Sequence, residues 1–202
     1  MSAERTAVDV EHLRGEVAEK YAEVAERPDA EHHFHTGRRA LDHLGYPREL
    51  VEGLPDQAAE AFSGVANLYY WDRPEPGERV VDVGSGAGTD ALIAARAVGP
   101  DGAVVGVDMN EPMLERARRA ADAAGLENAE FRKGLAEELP VEDGWADRVI
   151  SNGVLNLVPD KPAAYGEIYR VLRPGGRLRV SDICVEEEVP EGAKADVDLW
   201  AA

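Results

Sequence analysis

The run Val80-Val81-Asp82-Val83-Gly84-Ser85-Gly86-Ala87-Gly88-Thr89-Asp90 joins an apolar strand pattern to three alternate glycines and then to a helical pattern. Glycines at that spacing let the chain turn tightly and let a ligand approach the backbone, while the helix behind them offers its first amides. The alternative is a plain strand-to-helix turn, which seldom needs three alternate glycines. A dinucleotide site needs G-x-G-x-x-G, and here the spacing is G-x-G-x-G. Asp82 stands two residues ahead of the first glycine, where a carboxylate repels a pyrophosphate but suits the ammonium of an amino-acid moiety, directly or through water. A second acid, Asp108, closes the apolar run Ala103-Val104-Val105-Gly106-Val107. It falls about twenty residues past the loop, where an acid accepts both ribose hydroxyls in nucleotide-binding units. Its alternative use is to cap the helical run Glu111–Ala124.

These residues need a scaffold that brings strand ends together. From Arg79 the pattern alternates: strand to Val83, helix Asp90–Val98, strand Ala103–Asp108, helix Glu111–Ala124, strands Ala129–Lys133 and Arg148–Ser151, helix Lys161–Leu172, strand Arg177–Ile183. Such alternation predicts an α/β fold, a parallel sheet with helices on both faces, whose ligand lies beyond the carboxyl ends of the strands. Asp82, Asp108 and Asn152 all end strands and so converge on one crevice. Upstream, Val10, Leu13, Val17, Tyr21 and Val24 recur at helical spacing over residues 9 to 26. Arg38–Leu44 and Pro55–Val65 read as short helices, and Arg73-Pro74-Glu75-Pro76-Gly77 is a turn-rich boundary. The expected organisation is an N-terminal helical cap over 1–73 and a ligand-binding core over 74–202.

At 202 residues the chain suits one sizeable α/β domain with an extra segment. Its net charge of −18, from 40 acids against 22 bases, disfavours a nucleic-acid partner. The lysines are confined to Lys20, Lys133, Lys161 and Lys194, which with the acid excess suggests a high-salt cytoplasm or a biased genome. No stretch has the length and apolarity of a membrane span, and no secretory signal pattern is visible, so a cytoplasmic location is expected. The apolar surroundings of Cys184, the one cysteine, predict a buried structural thiol.

The pattern D-x-G-x-G-x-G at Asp82–Gly88 resembles motif I of class I S-adenosylmethionine-dependent methyltransferases. The turn Arg173-Pro174-Gly175-Gly176-Arg177-Leu178 is similar to a structural turn of the same proteins. The resemblance implies a Rossmann-like sheet and S-adenosylmethionine as cofactor, held by Asp82, Gly84, Ser85, Gly86, Gly88, Asp108 and Met109. It further implies that Gly134-Leu135-Ala136-Glu137-Glu138-Leu139-Pro140 covers the adenine, through Leu135, Ala136 and Glu137, although an ordinary loop fits that stretch too. Asn152 and Gly153 would flank the methionine end. Ser151-Asn152-Gly153-Val154-Leu155-Asn156-Leu157-Val158-Pro159-Asp160-Lys161 resembles small-molecule methyltransferases related to the arsenite enzymes. His33-Phe34-His35-Thr36-Gly37-Arg38 and Lys194-Ala195-Asp196-Val197-Asp198-Leu199-Trp200 resemble the same group.

Two departures bear on the acceptor. The thiolates with which arsenite enzymes hold trivalent arsenic are missing, since Gly153, Leu155, Val158 and the stretch Ser63–Leu68 hold no cysteine. The strand at 177–183 is followed by little further sequence, so the sheet is expected to be shortened after its fifth strand. Its open edge would then be covered by a second copy or another chain. His32, His33 and His35 lie close together and read as a solvated loop, as a metal site lacking an obvious fourth ligand, or, by the resemblance, as a lid with Phe34 and His35 facing substrate. No metal is expected. His35 and Asn156 are the candidates for contacting the acceptor. The expected function is direct methyl transfer to a small molecule. The alternatives are a cofactor-binding subunit without turnover and an NAD-dependent oxidoreductase, the latter opposed by the glycine spacing and Asp82.

Overall fold

A computed structural model describes residues 9–28, 30 and 35–186. Asp9 opens helix α1 (Val10–Glu26) by accepting from the N–H groups of Glu11 and His12, and the helix buries Leu13, Val17 and Val24. Helix α2 (Gly37–His43) and two single turns, α3 (Arg48–Val51) and α4 (Asp56–Ala59), follow. The pattern over Pro55–Val65 predicts a longer helix than α4. Ser63 and Gly64 are poor helix formers, and the N–H groups of Val65 and Ala66 donate to the Asn152 side chain instead of to a preceding turn.

Beyond Pro76 the chain lays down β1 (Arg79–Val83), α5 (Thr89–Val98), β2 (Ala103–Asp108), α6 (Glu111–Ala124), β3 (Ala129–Lys133) and β4 (Ala146–Asn152). A short 3-10 turn (Leu155–Leu157), α7 (Lys161–Val171) and β5 (Leu172–Ser181) complete the described part. The strands form one parallel sheet in the order β3-β2-β1-β4-β5. Period-two alternation sorts the side chains. Val80, Val104 and Ile150 pack beneath α5 and α6, while Val81, Val105 and Val149 pack beneath α7. Residues Ala40, Leu41, Leu54, Phe62 and Leu68 share the α5 core. That helix is therefore covered by the sheet on one side and the N-terminal segment on the other, which is why it is apolar nearly all round.

The strand order reverses between β1 and β4, so the crevice lies beyond the carboxyl ends of those two strands. At the opposite end of the sheet Arg148, only 1% exposed, is paired with Asp72 and Glu78 and anchors the entry to β1.

Two expectations need correction. Strand β5 begins at Leu172, ahead of the expected Arg177, and runs through Pro174-Gly175-Gly176 with a register shift opposite Ala146 and Arg148. Pro is tolerated there because β5 pairs only with β4 among the described residues, and an outer strand needs no N–H on its free side. Cys184 is exposed, not buried. The strand ends at Ser181, so the apolar run Ile183-Cys184-Val185 lies past the sheet and faces no core; Ile183 and Val185 are exposed with it. The stretches His32-His33-Phe34 and Lys194–Trp200 lie outside the described residues.

Candidate active site

Three strand ends build the site. Gly84 and Gly86 follow β1 with positive φ (+73° and +50°), a conformation that costs glycine nothing. A Cβ on Gly84 would lie 2.3 Å from Cγ2 of Val154, so glycine there lets the segment after β4 close against the turn. Gly88 has a different task. It has φ +88° at the N-cap of α5, and a Cβ would meet Phe131 at 2.9 Å, so it serves helix-to-sheet packing.

The turn uses its own amides internally. The N–H groups of Gly84 and Ser85 donate to Val107 O (2.8 and 3.0 Å), and that of Gly88 donates to Ser85 O (2.8 Å). The Gly86 N–H donates to Asp108 Oδ2 at 2.8 Å. A phosphate cradle needs such amides free. Asp108 Oδ1 accepts from the Asn110 N–H at 2.8 Å. The carboxylate is thus fixed by two backbone donors and has lone pairs left toward the cleft that it lines. Burial pushes its pKa up, and the N–H bonds from Asn110, Gly86 and Met109 oppose that.

Asp82 is 2% exposed and faces a small chamber behind the glycine turn, also lined by Ser63, Ser85, Asp90 and Asn152. Its Oδ2 and the Ser85 Oγ are buried without a hydrogen-bond partner. Among the described residues no basic side chain lines the chamber. Desolvation, then the charges of Asp90 and Asp108, push Asp82 well above the usual carboxylate range, against one bond from the Ala91 N–H. Burial raises Asp90 to about 6, moderated by bonds from Asn152 and Tyr46.

The main cleft holds about 850 Å³ of open space including its mouth, within the ~300–1,000 Å³ usual for small-molecule sites. Gly84, Gly86, Asp108, Met109, Leu135, Ala136, Glu137, Asn152 and Gly153 all line it. The structure therefore brings most of the proposed cofactor residues together. Asn152 lines the cleft, but its carboxamide is turned to the loop at 65–66. His35 is exposed, with its ring centroid 5.4 Å from that of His43, and is not among the cleft-lining residues. Asn156 is not among the cleft-lining residues either, although Val154 and Leu157 on its two sides are. Its N–H donates to Asp182 Oδ2 at 2.9 Å, and its Oδ1 is buried without a partner. Among the described residues no group of three or more His, Cys, Asp or Glu is placed to hold a metal.

Sequence reasoning missed the wall that α1 supplies. Arg14, Val17 and Tyr21 line the cleft, and Arg14 pairs with Glu137 at 3.1 Å. The Asn110 carboxamide donates to Ala18 O at 2.7 Å, tying the helix down. Burial, then the nearby charges of Asp108 and Asp182, push Tyr21 up to about 12. In sequence these are ordinary positions of an amphipathic helix. Asp90 and Tyr46 were missed as well, because a first-turn acid and a lone Tyr carry no signal of their own.

The unpartnered Asp82 and Ser85 atoms, the two-point carboxylate of Asp108 and the self-satisfied glycine amides fit a ligand with ribose hydroxyls and an ammonium group, and do not fit a pyrophosphate. Strand order and cleft together define a Rossmann-like core with a nucleotide-type ligand site. The chain belongs to the methyltransferase domain family, whose model matches residues 74–202. An arsenite methyltransferase of Halobacterium salinarum is 43% identical over 157 residues, 78% of this chain and 40% of that protein. A demethylmenaquinone methyltransferase of Symbiobacterium thermophilum is 34% identical, covering 72% of this chain and 60% of the relative. Among solved structures, the arsenic (III) S-adenosylmethionine methyltransferase of Chlamydomonas reinhardtii superposes with a TM-score of 0.68 at 40% identity, over 72% of this chain and 51% of that one. The chain spans about half the length of the curated relatives it matches.

Proposed function

We propose that this protein transfers the methyl group of S-adenosylmethionine directly to a small-molecule acceptor. The observation that carries the reading is the glycine turn whose amides are already bonded at 84, 85, 86 and 88, with Asp108 lining the main cleft on one side of it and Asp82 the chamber behind it. The sulfonium supplies an already activated methyl group. The chain's residues bind, orient and exclude water. In this reading Asp108 accepts the ribose hydroxyls and Leu135, Ala136 and Glu137 wall the adenine. Asp82 and Ser85 face the ammonium end, and Gly84, Gly86 and Gly153 allow close backbone approach. Residues 1–73 act as a cap over the 74–202 core, with α1 as the part that covers the cleft. Neither Asn156 nor His35 lines the cleft; Asn156, with its unpartnered buried Oδ1 and its neighbour Leu157 in the lining, is the better acceptor contact.

Arsenite is the substrate in the names of several relatives, but this chain's cleft offers it no thiol. Cys184 is exposed past β5, and soft As(III) favours sulfur ligands. The outer edge of β5 suits a further strand from a second copy or another chain, which light scattering tests. No described helix is long and apolar enough to cross a membrane, and the reading is of a cytoplasmic activity. Incubation with methyl-labelled S-adenosylmethionine and a metabolite extract tests the function. Label in a small metabolite supports it. Tight donor binding with no labelled product would favour a non-catalytic subunit.

A further inference from the structure

Asn152 is the last residue of β4, and its side chain is fully engaged away from the ligand space. Its Oδ1 accepts from the N–H groups of Val65 (2.9 Å) and Ala66 (3.2 Å). Its Nδ2 donates to Asp90 Oδ2 (2.9 Å) and Ala66 O (2.9 Å), and lies 3.2 Å from the Tyr46 hydroxyl. An amide has two N–H bonds and one oxygen with two lone pairs, so none of its polar capacity is left for a ligand. The Tyr46 hydroxyl donates to Asp90 Oδ1 at 2.8 Å, and that of Tyr69 to the Asp90 carbonyl at 2.6 Å. One buried network therefore joins β4, the start of α5 and the loop at 63–66.

The loop is built for this approach. A Cβ on Gly64 would fall 2.4 Å from Asn152 Nδ2, and one on Gly153 would fall 3.0 Å from Cγ1 of Val65. Ser63 and Gly153 line the main cleft, and Ser63 and Gly64 line the chamber of Asp82 and Ser85 as well. In the methyl-transfer reading that chamber takes the ammonium end of the donor, so the loop walls the methionine part of the site, beside which an acceptor must be aligned. Misplacing reacting groups by about 1 Å costs roughly a hundredfold in rate.

We propose that Asn152 is a positioning residue, whose carboxamide clasps the 63–66 loop to Asp90 and so fixes the wall that the cleft shares with the Asp82 chamber. This inference rests on reading the cleft as a methyl-transfer site. The test compares the wild-type chain with Asn152→Ala and the near-isosteric Asn152→Asp. It measures amide hydrogen exchange at Val65 and Ala66, calorimetric S-adenosylhomocysteine affinity, and labelled-methyl turnover in a metabolite extract. In Asn152→Ala, exchange at the two amides is expected to quicken at least tenfold and turnover to fall at least tenfold. Any loss of S-adenosylhomocysteine affinity should accompany the faster loop exchange and be smaller than the loss of turnover.

Asn152→Asp also serves if the alanine variant does not fold. An ionised carboxylate cannot donate to Asp90 or Ala66 O, whereas a protonated one donates once and still accepts from the loop. Asp90, raised to about 6 by burial, titrates in the same window, so loop exchange is read as the ratio of variant to wild type at each pH. That ratio should be large at pH 8 and approach one at pH 5. A merely space-filling role would leave it unchanged with pH. A tenfold loss of S-adenosylhomocysteine affinity with unchanged loop exchange would make Asn152 a cofactor ligand and overturn the proposal, as would a pH-independent exchange ratio in the aspartate variant. Failure of the wild-type chain to bind S-adenosylhomocysteine would instead defeat the methyltransferase reading, with loop exchange still reporting on the clasp.

Discussion

Replacing Asp82 with asparagine should make the ligand-free protein more stable and the cofactor site worse. Burial raises the Asp82 pKa in the folded protein above the ~3.9 of an unfolded aspartate. The folded state therefore holds the proton more tightly. The stability linked to that proton is fully present below the unfolded value and is lost as pH rises through the folded one. At pH 8 the residue thus opposes folding, with Oδ2 unpartnered. Leaving such an atom unsatisfied costs ~1–3 kcal/mol, more when it is charged. A carboxamide in its place keeps the shape and one acceptor for the Ala91 N–H without the charge. At ~2–4 °C per kcal/mol for a chain of this size, the ligand-free Asp82→Asn protein should melt ~2–12 °C higher at pH 8, with a smaller gain at pH 4. The same change removes a charged partner for an ammonium group, worth ~1.5–3 kcal/mol, so S-adenosylmethionine should bind roughly ten- to a hundredfold more weakly. Scanning calorimetry and isothermal titration read both effects. A lower melting temperature at pH 8 with unchanged affinity would refute the reasoning.

Gly84→Ala places a methyl group 2.3 Å from Val154 at φ +73°; overpacking of ~1–3 kcal/mol and backbone strain of similar size should lower the melting temperature and abolish donor binding. Arg148→Ala strips Asp72 and Glu78 of a buried partner; Asp72 is partly solvated and Glu78 keeps Arg177, so the cost in chemical unfolding should be ~1–3 kcal/mol, with donor affinity in the folded protein unchanged because the cluster lies at the far end of the sheet. Arg14→Ala breaks the pair with Glu137. Losing ~1 kcal/mol of lid closure should speed S-adenosylhomocysteine release about fivefold in stopped flow, with little change in melting temperature.

What could be read in the sequence was local. Asp82 and the glycine turn sit within a few residues of each other, and Asp108 ends an apolar run of its own, so their placement followed from strand-turn-helix chemistry. The Asn152 network was illegible because its members are distant, Tyr46 lying 106 residues from Asn152 in sequence and Asp90 lying 62 from it. No periodicity encodes such a contact. The same network explains the helix expected over Pro55–Val65, since tertiary bonds to Val65 and Ala66 override local pattern. Cys184 shows the converse: its apolar neighbours predict core, but the strand ends at Ser181, ahead of them, and the thiol is exposed.

The central claim is that the glycine turn and its two acids accept S-adenosylmethionine and reject a dinucleotide. Isothermal titration of the wild-type chain and of Asp108→Asn with S-adenosylmethionine and with NAD tests it most directly. The account predicts one-to-one binding of S-adenosylmethionine, weakened at least tenfold in Asp108→Asn, and no heat with NAD. Binding of NAD in preference to S-adenosylmethionine, or an Asp108→Asn affinity equal to that of the wild type, would contradict it.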